Sequence, residues 1–183
     1  GASPFYQVQG LATLLSSARL SRVRTVAWIP KTVTGPNAMV ALACNEIVMD
    51  PDAGLGDISR GEPLEDASKQ FVRTLVEKRR NPKVNWPLAR GMLDRDAEVI
   101  QVTITSEDKQ VRLRVVGPEE LKLLQKSMPA ARIETRRIKD AGERGTFFGE
   151  QARAMDLLVT QTARARSEVA STYRLPATAM REE

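Results

Sequence analysis

One stretch constrains the fold more than any other: Val26 to Asp57, reading VAWIPKTVTGPNAMVALACNEIVMDPDAGLGD. Val26-Ala27-Trp28-Ile29 is a short apolar run that Pro30 stops, the pattern of a buried strand. Thr32 to Gly35 reads as a polar turn whose glycine is free to take unusual backbone angles. Pro36 then suits the first turn of a helix, where a missing N–H costs little. Asn37 to Cys44 is almost wholly small and apolar, so that helix is expected to be buried on nearly every side. Glu46 to Met49 is a second short strand, closed by Asp50-Pro51. The two strands are expected to be parallel neighbours joined over the helix, with Ala38, Ala41, Ala43 and Cys44 inside.

This layout resembles the ClpP/crotonase-like serine peptidases of the signal-peptide-peptidase (SppA) and NfeD type. In that family a strand leads into Ala-Ser-Ala-Gly, a buried helix, and Asp-Glu-Ile-(Val/Tyr)-Met-x-Pro-x-Ala-x-(Ile/Leu)-Gly. Ala41 to Gly56, ALACNEIVMDPDAGLG, matches the second half almost residue for residue. The resemblance implies an α/β fold: the later part of a ClpP/crotonase-like spiral of βαβ units. Residues 1–160 would form that domain without its first βαβ part, and 161–183 a C-terminal helix and tail. It also implies a bacterial membrane-associated protein on the periplasmic side, reached by parts outside this segment. A polypeptide or membrane-protein partner and a homo-oligomer are expected with it.

The first half departs from the family. Counting back from Glu46 without gaps puts the nucleophilic serine at Gly35 and the following Ala-Gly at Pro36-Asn37. Glycine has no side chain to attack with. One extra turn residue would bring Thr34 to that place, where a hydroxyl needs an adjacent base. Thr34 is otherwise an ordinary turn residue bonding its own backbone. The family's lysine base belongs near Glu62 or Pro63, where no lysine stands. Lys69 is the nearest, inside the next helix between Glu65 and Arg73 on an exposed face. The family's oxyanion hole draws on a Ser-Pro-Gly-Gly loop ahead of the first helix; Gly1 is either its last glycine or an unrelated leftover. With Pro36 and Asn37 it completes the oxyanion candidates, and the opening βαβ part would then lie upstream. A first residue other than Met reads as an excised or processed piece.

Composition narrows the function classes. The 183 residues contain no histidine, which excludes a Ser-His-Asp triad and histidine metal sites within this chain. The single cysteine, Cys44, excludes an internal disulfide. No metal or cofactor motif is present, and no apolar run is long enough to cross a bilayer. The formal charge of +5 comes with clusters at Arg19/Arg22/Arg24, Lys78–Arg80 and Arg132/Arg136/Arg137/Lys139. Aromatic residues are only 4%, and no nucleic-acid motif accompanies them, so a solvated basic surface is expected and specific nucleic-acid binding is not.

The remaining elements follow from periodicity. Leu11, Leu14, Leu15 and Ala18 predict an amphipathic helix within Phe5 to Leu20. Leu64, Ala67, Phe71, Val72, Leu75 and Val76 predict another, ending before Asn81-Pro82. Pro87 to Leu93 reads as a short helix. Glu98 to Thr105 and Gln110 to Val116 read as a small inserted β hairpin. Pro118 starts a helix that Pro129 closes, and Ile133 to Ile138 reads as an edge strand. Gly149 to Val159 resembles the family's closing Glu-Ala-x-x-x-Gly-Leu segment, with Asp156 in place of its glycine. A last helix over Thr162 to Tyr173 is anchored by Val169, and Met180 to Glu183 are expected to fray.

Three functions are open on this reading. The first is a peptidase-fold domain that has lost its dyad and acts in binding or assembly. The second is an active peptidase using Thr34 or residues upstream. The third is a non-peptidase member of the crotonase-like fold, or a basic interaction module.

Overall fold

The computed structural model describes residues 5–79 and 81–176 and shows a mixed α/β chain built on three small sheets. Strand β1 (Val26–Ile29) and strand β3 (Glu46–Met49) are parallel neighbours, with Val26 opposite Glu46 and Ile29 opposite Met49. Between them the expected polar turn is partly a strand: β2 (Val33–Thr34) runs parallel to β4 (Gly54–Gly56) in a second sheet. Two β-branched residues favour the extended form, and Thr32 Oγ1 accepts the Gly54 N–H at 2.9 Å to fasten the pair. Strand β8 (Thr146–Phe148) adds antiparallel to β4, so Gly54–Gly56, beyond the Asp50-Pro51 that closes β3, is the central strand of this sheet. The chain thus passes from the first sheet to the second twice, β1 to β2 and β3 to β4.

Helix α2 (Ala38–Leu42) bridges β2 and β3. Ala38, Met39, Ala41 and Leu42 are buried, as are Ala43 and Cys44 beyond it. Small side chains let neighbouring elements approach closely, and α1 (Phe5–Leu15) and α3 (Asp66–Arg79) both pack against α2.

The expected stripe on α1 is wrong in detail. Val8 and Ala12 are buried, while Leu11 and Leu14 face outward. The i,i+4 pair of smaller residues fits the approach to α2, and Phe5 meets Phe71 of α3 edge-on at 6.4 Å. The helix stops early because Ser16 and Ser17 turn their hydroxyls back onto the carbonyls of Thr13 and Leu14. On α3, Val72, Leu75 and Val76 are buried but Ala67 is exposed. Helix α4 (Trp86–Leu93) starts where Asn85 accepts the Leu88 N–H.

The insertion exceeds a hairpin. Strand β5 (Val99–Thr105) is central, flanked by antiparallel β6 (Val111–Val116) and β7 (Arg132–Lys139). Helix α5 (Pro118–Ser127) closes one face over a separate core of Ile100, Val102, Ile104, Val116 and Leu124. After β8 come α6 (Gly149–Ala154) and β9 (Gln161–Thr162), which lies parallel beside β3. Because β9 claims Gln161–Thr162, the last helix, α7, is limited to Arg166–Thr172. Its buried residue is Ala170; Val169 is half-buried. Met180 to Glu183, expected to fray, lie outside the described residues.

Candidate functional site

The turn after β2 is held by its backbone. Gly35 has φ +77°, the left-handed region that glycine enters without steric cost. Pro36 adds to that demand, since the residue before a proline is pushed out of the right-handed helical region. The Gly35 N–H donates to the Asp57 carbonyl at 2.9 Å, and its carbonyl accepts from Ala38 at 3.0 Å. Met39 donates to Pro36 and Val40 to Asn37, so the first amides of α2 are already engaged. Pro36 has no N–H, and the Asn37 side chain makes no cap bond. Of the oxyanion candidates, Pro36 thus has no donor to offer, Asn37 stands at the N-terminus of α2, and Gly1 lies outside the described residues.

Arg60 covers this turn. A Cβ built on Gly35 would sit 3.0 Å from Arg60 Cζ and 3.1 Å from Nη2. Nη2 also donates to the Thr34 carbonyl at 3.4 Å. Thr34 is half-buried in β2, opposite Gly56. Lys69 stands in the second turn of α3, its side chain 41% exposed and its ammonium 3.3 Å from Asp66. The structure therefore gathers Thr34, Gly35, Asp57 and Arg60, and pairs Lys69 with a carboxylate of its own helix.

A polar cavity of about 240 Å³ opens beside the turn, lined by Asp57, Ser59, Arg60, Gly61, Arg95 and Arg144 among others. Three chain segments meet there. Asp57 donates to the Gly145 carbonyl and Ile58 to that of Met92, each at 2.8 Å. Gly145 has to be glycine: a Cβ would lie 2.6 Å from the Met92 Cα. Gly56, at φ +143°, also packs against the Gly145 backbone, where a Cβ would lie 3.0 Å from the Gly145 carbonyl carbon.

Sequence reasoning missed the residue that ties two of these segments. Lys139 is 3% exposed, and its ammonium donates to the carbonyls of Arg95 and Ala97 at 2.7 Å and Asp140 at 3.2 Å. Burial pushes its pKa below the usual lysine value, against the pull of Asp94 and Glu143. Strict alternation would put Lys139 on the face of Ile133 and Arg137. Instead Arg137 lies opposite Ile100 and Lys139 opposite Val99, leaving Ile138 as an extra residue. That bulge turns Lys139 to the side of Val99, which belongs to the main core. Nothing in the sequence pattern signals it, and the solvated basic surface expected at Arg132–Lys139 does not hold at this position.

The net charge is concentrated. Residues 99–139 hold nine Lys/Arg against five Asp/Glu, most of the chain's surplus of +5. Among the described residues, no helix is long and apolar enough to cross a membrane, and no cluster of His, Cys, Asp and Glu could hold a metal ion. Comparison with protein-family models, with curated proteins and with solved structures finds no match.

Proposed function

We propose that this chain is a ClpP/crotonase-like domain of the NfeD/SppA kind that has lost hydrolytic chemistry and works by binding or assembly. Its partner is a polypeptide or membrane protein, it self-associates, and membrane contact on the periplasmic side comes through parts outside this segment. The observation that carries the loss of chemistry is the Gly35 turn. Peptide hydrolysis needs a nucleophile, a base in hydrogen-bond reach and oxyanion donors. Glycine occupies the nucleophile position, a guanidinium fills the space a side chain there would take, and the candidate base Lys69 is paired with Asp66.

The spiral and the family rest on position-specific agreement. The family's glycine after (Ile/Leu) is Gly56, at φ +143°. Its late glycine falls on Asp156, which adopts φ +56°, a conformation glycine tolerates best. The parallel pairing of β1 and β3 across α2 is the expected one. A second reading, a basic interaction module, draws on the charge gathered in residues 99–139. Prolonged incubation with an unfolded, labelled polypeptide tests the loss of hydrolysis. The polypeptide is expected to stay full length; fragments that vanish in Thr34→Ala would establish the opposite reading, an active threonine peptidase.

A further inference from the structure

The cavity beside the Gly35 turn holds more positive charge than its own structure neutralises. Arg60 comes from the loop after β4, Arg95 from the turn after α4, and Arg144 from the loop before β8. Asp57 is the one carboxylate among the lining residues. Arg95 uses Nε on the Gly142 carbonyl at 2.5 Å, which leaves the two Nη groups of its fork. Arg60 uses one Nη2 bond on Thr34. Arg144 makes no hydrogen bond or ion pair with the described residues and is exposed. Three guanidinium groups around one small space repel each other, and an anion entering it relieves that repulsion while gaining charge-assisted hydrogen bonds.

We infer that this cavity is a binding site for a phosphate group. A carboxylate is planar and is satisfied by one arginine fork; three forks from three chain segments suit a tetrahedral group with three terminal oxygens. The Asp57 carboxylate can accept a hydrogen bond from the O–H of a singly protonated phosphate. The volume, about 240 Å³, lies below the usual range for whole small-molecule sites. It takes a phosphate and its immediate linkage, so the source is either free phosphate or the headgroup of a phosphomonoester lipid. The backbone at two of the arginine segments is defined: Arg60 at φ +53° precedes Gly61 at φ +81°, and Lys139 holds the Arg95 and Asp140 carbonyls. This site is independent of the peptidase resemblance, because it needs only the three arginines, Asp57 and the space between them.

The test compares wild type with Arg144→Gln, Arg95→Gln and the distant control Arg136→Gln. Inorganic phosphate is titrated against chloride at matched ionic strength by calorimetry, with a melting curve in chloride to confirm folding. In parallel, each protein is sedimented with phosphatidylcholine vesicles with and without phosphatidic acid. Saturable phosphate binding that weakens about tenfold or more in Arg144→Gln and Arg95→Gln, but not in Arg136→Gln, supports a site for free phosphate. Binding only to phosphatidic acid vesicles, with the same dependence, supports the lipid headgroup. Binding in neither arm, or equal losses in all three variants, overturns the site.

Discussion

Tyr173 donates its hydroxyl proton to Glu46 at 2.7 Å, across 127 positions of sequence. The contact fastens the end of α7 to the first residue of β3. Arg24 completes it, with Nε 2.6 Å from the other Glu46 oxygen and the guanidinium carbon 5.1 Å from the Tyr173 ring centre. Burial, then the Glu46 hydrogen bond and charge, raise the Tyr173 pKa well above the ordinary 10.0. Above pH 10 the unfolded chain releases this proton and the folded chain keeps it, so stability present at neutral pH is lost as pH rises. Tyr173→Phe is expected to cost about 1 kcal/mol near neutral pH in urea unfolding. The gap between the two proteins should narrow past pH 10; a constant gap would show that Tyr173 ionises equally in both states.

Ala41 is 3% exposed within α2, between the sheet and its neighbouring helices. Ala41→Leu has no room for its extra carbons and is expected to lower stability by about 1–3 kcal/mol. An unchanged denaturation midpoint would mean that α2 is loosely packed.

Asp156 holds φ +56° and pairs with Lys83. Asp156→Gly and Asp156→Ala both lose the ion pair, so their difference isolates the backbone. The alanine variant should be less stable than the glycine variant by about 1 kcal/mol, measured by chemical denaturation. Equal stabilities would remove the strain from this position and weaken its likeness to a glycine site.

Lys139→Met leaves the Arg95, Ala97 and Asp140 carbonyls without their ammonium donor. The expected loss is about 1–3 kcal/mol, against less than about 0.5 kcal/mol for Arg137→Met on the exposed surface. Thermal melts of the two variants decide it, and similar small losses would contradict the buried role.

The β1–α2–β3 unit was legible because a proline-stopped apolar run, a small-residue helix and a second apolar run each carry their own signal. The β5–β6 hairpin was legible from alternation on both sides of a polar turn. The sheet of β2, β4 and β8 was not. Its strands are two or three residues long, Gly54-Leu55-Gly56 has no alternation to read, and β8 lies far along the chain. The α1 stripe misled because leucines outrank Val8 and Ala12 in hydrophobicity, whereas close approach to α2 favours the smaller pair. Lys139 was hidden by a bulge that only pairing reveals. Gly35 was legible by counting, but its cover, Arg60, comes from a loop whose position depends on the unseen sheet.

The central claim is that the turn at Thr34-Gly35 carries no activated nucleophile. The most direct measurement is incubation with a hydroxyl-reactive phosphonate, followed by intact-mass and peptide mass spectrometry. The chain is expected to stay unmodified, with the hydroxyl of Thr34 intact beside the covered glycine. A stoichiometric adduct on Thr34, absent in Thr34→Ala and suppressed in Lys69→Met, would contradict it and show a working dyad.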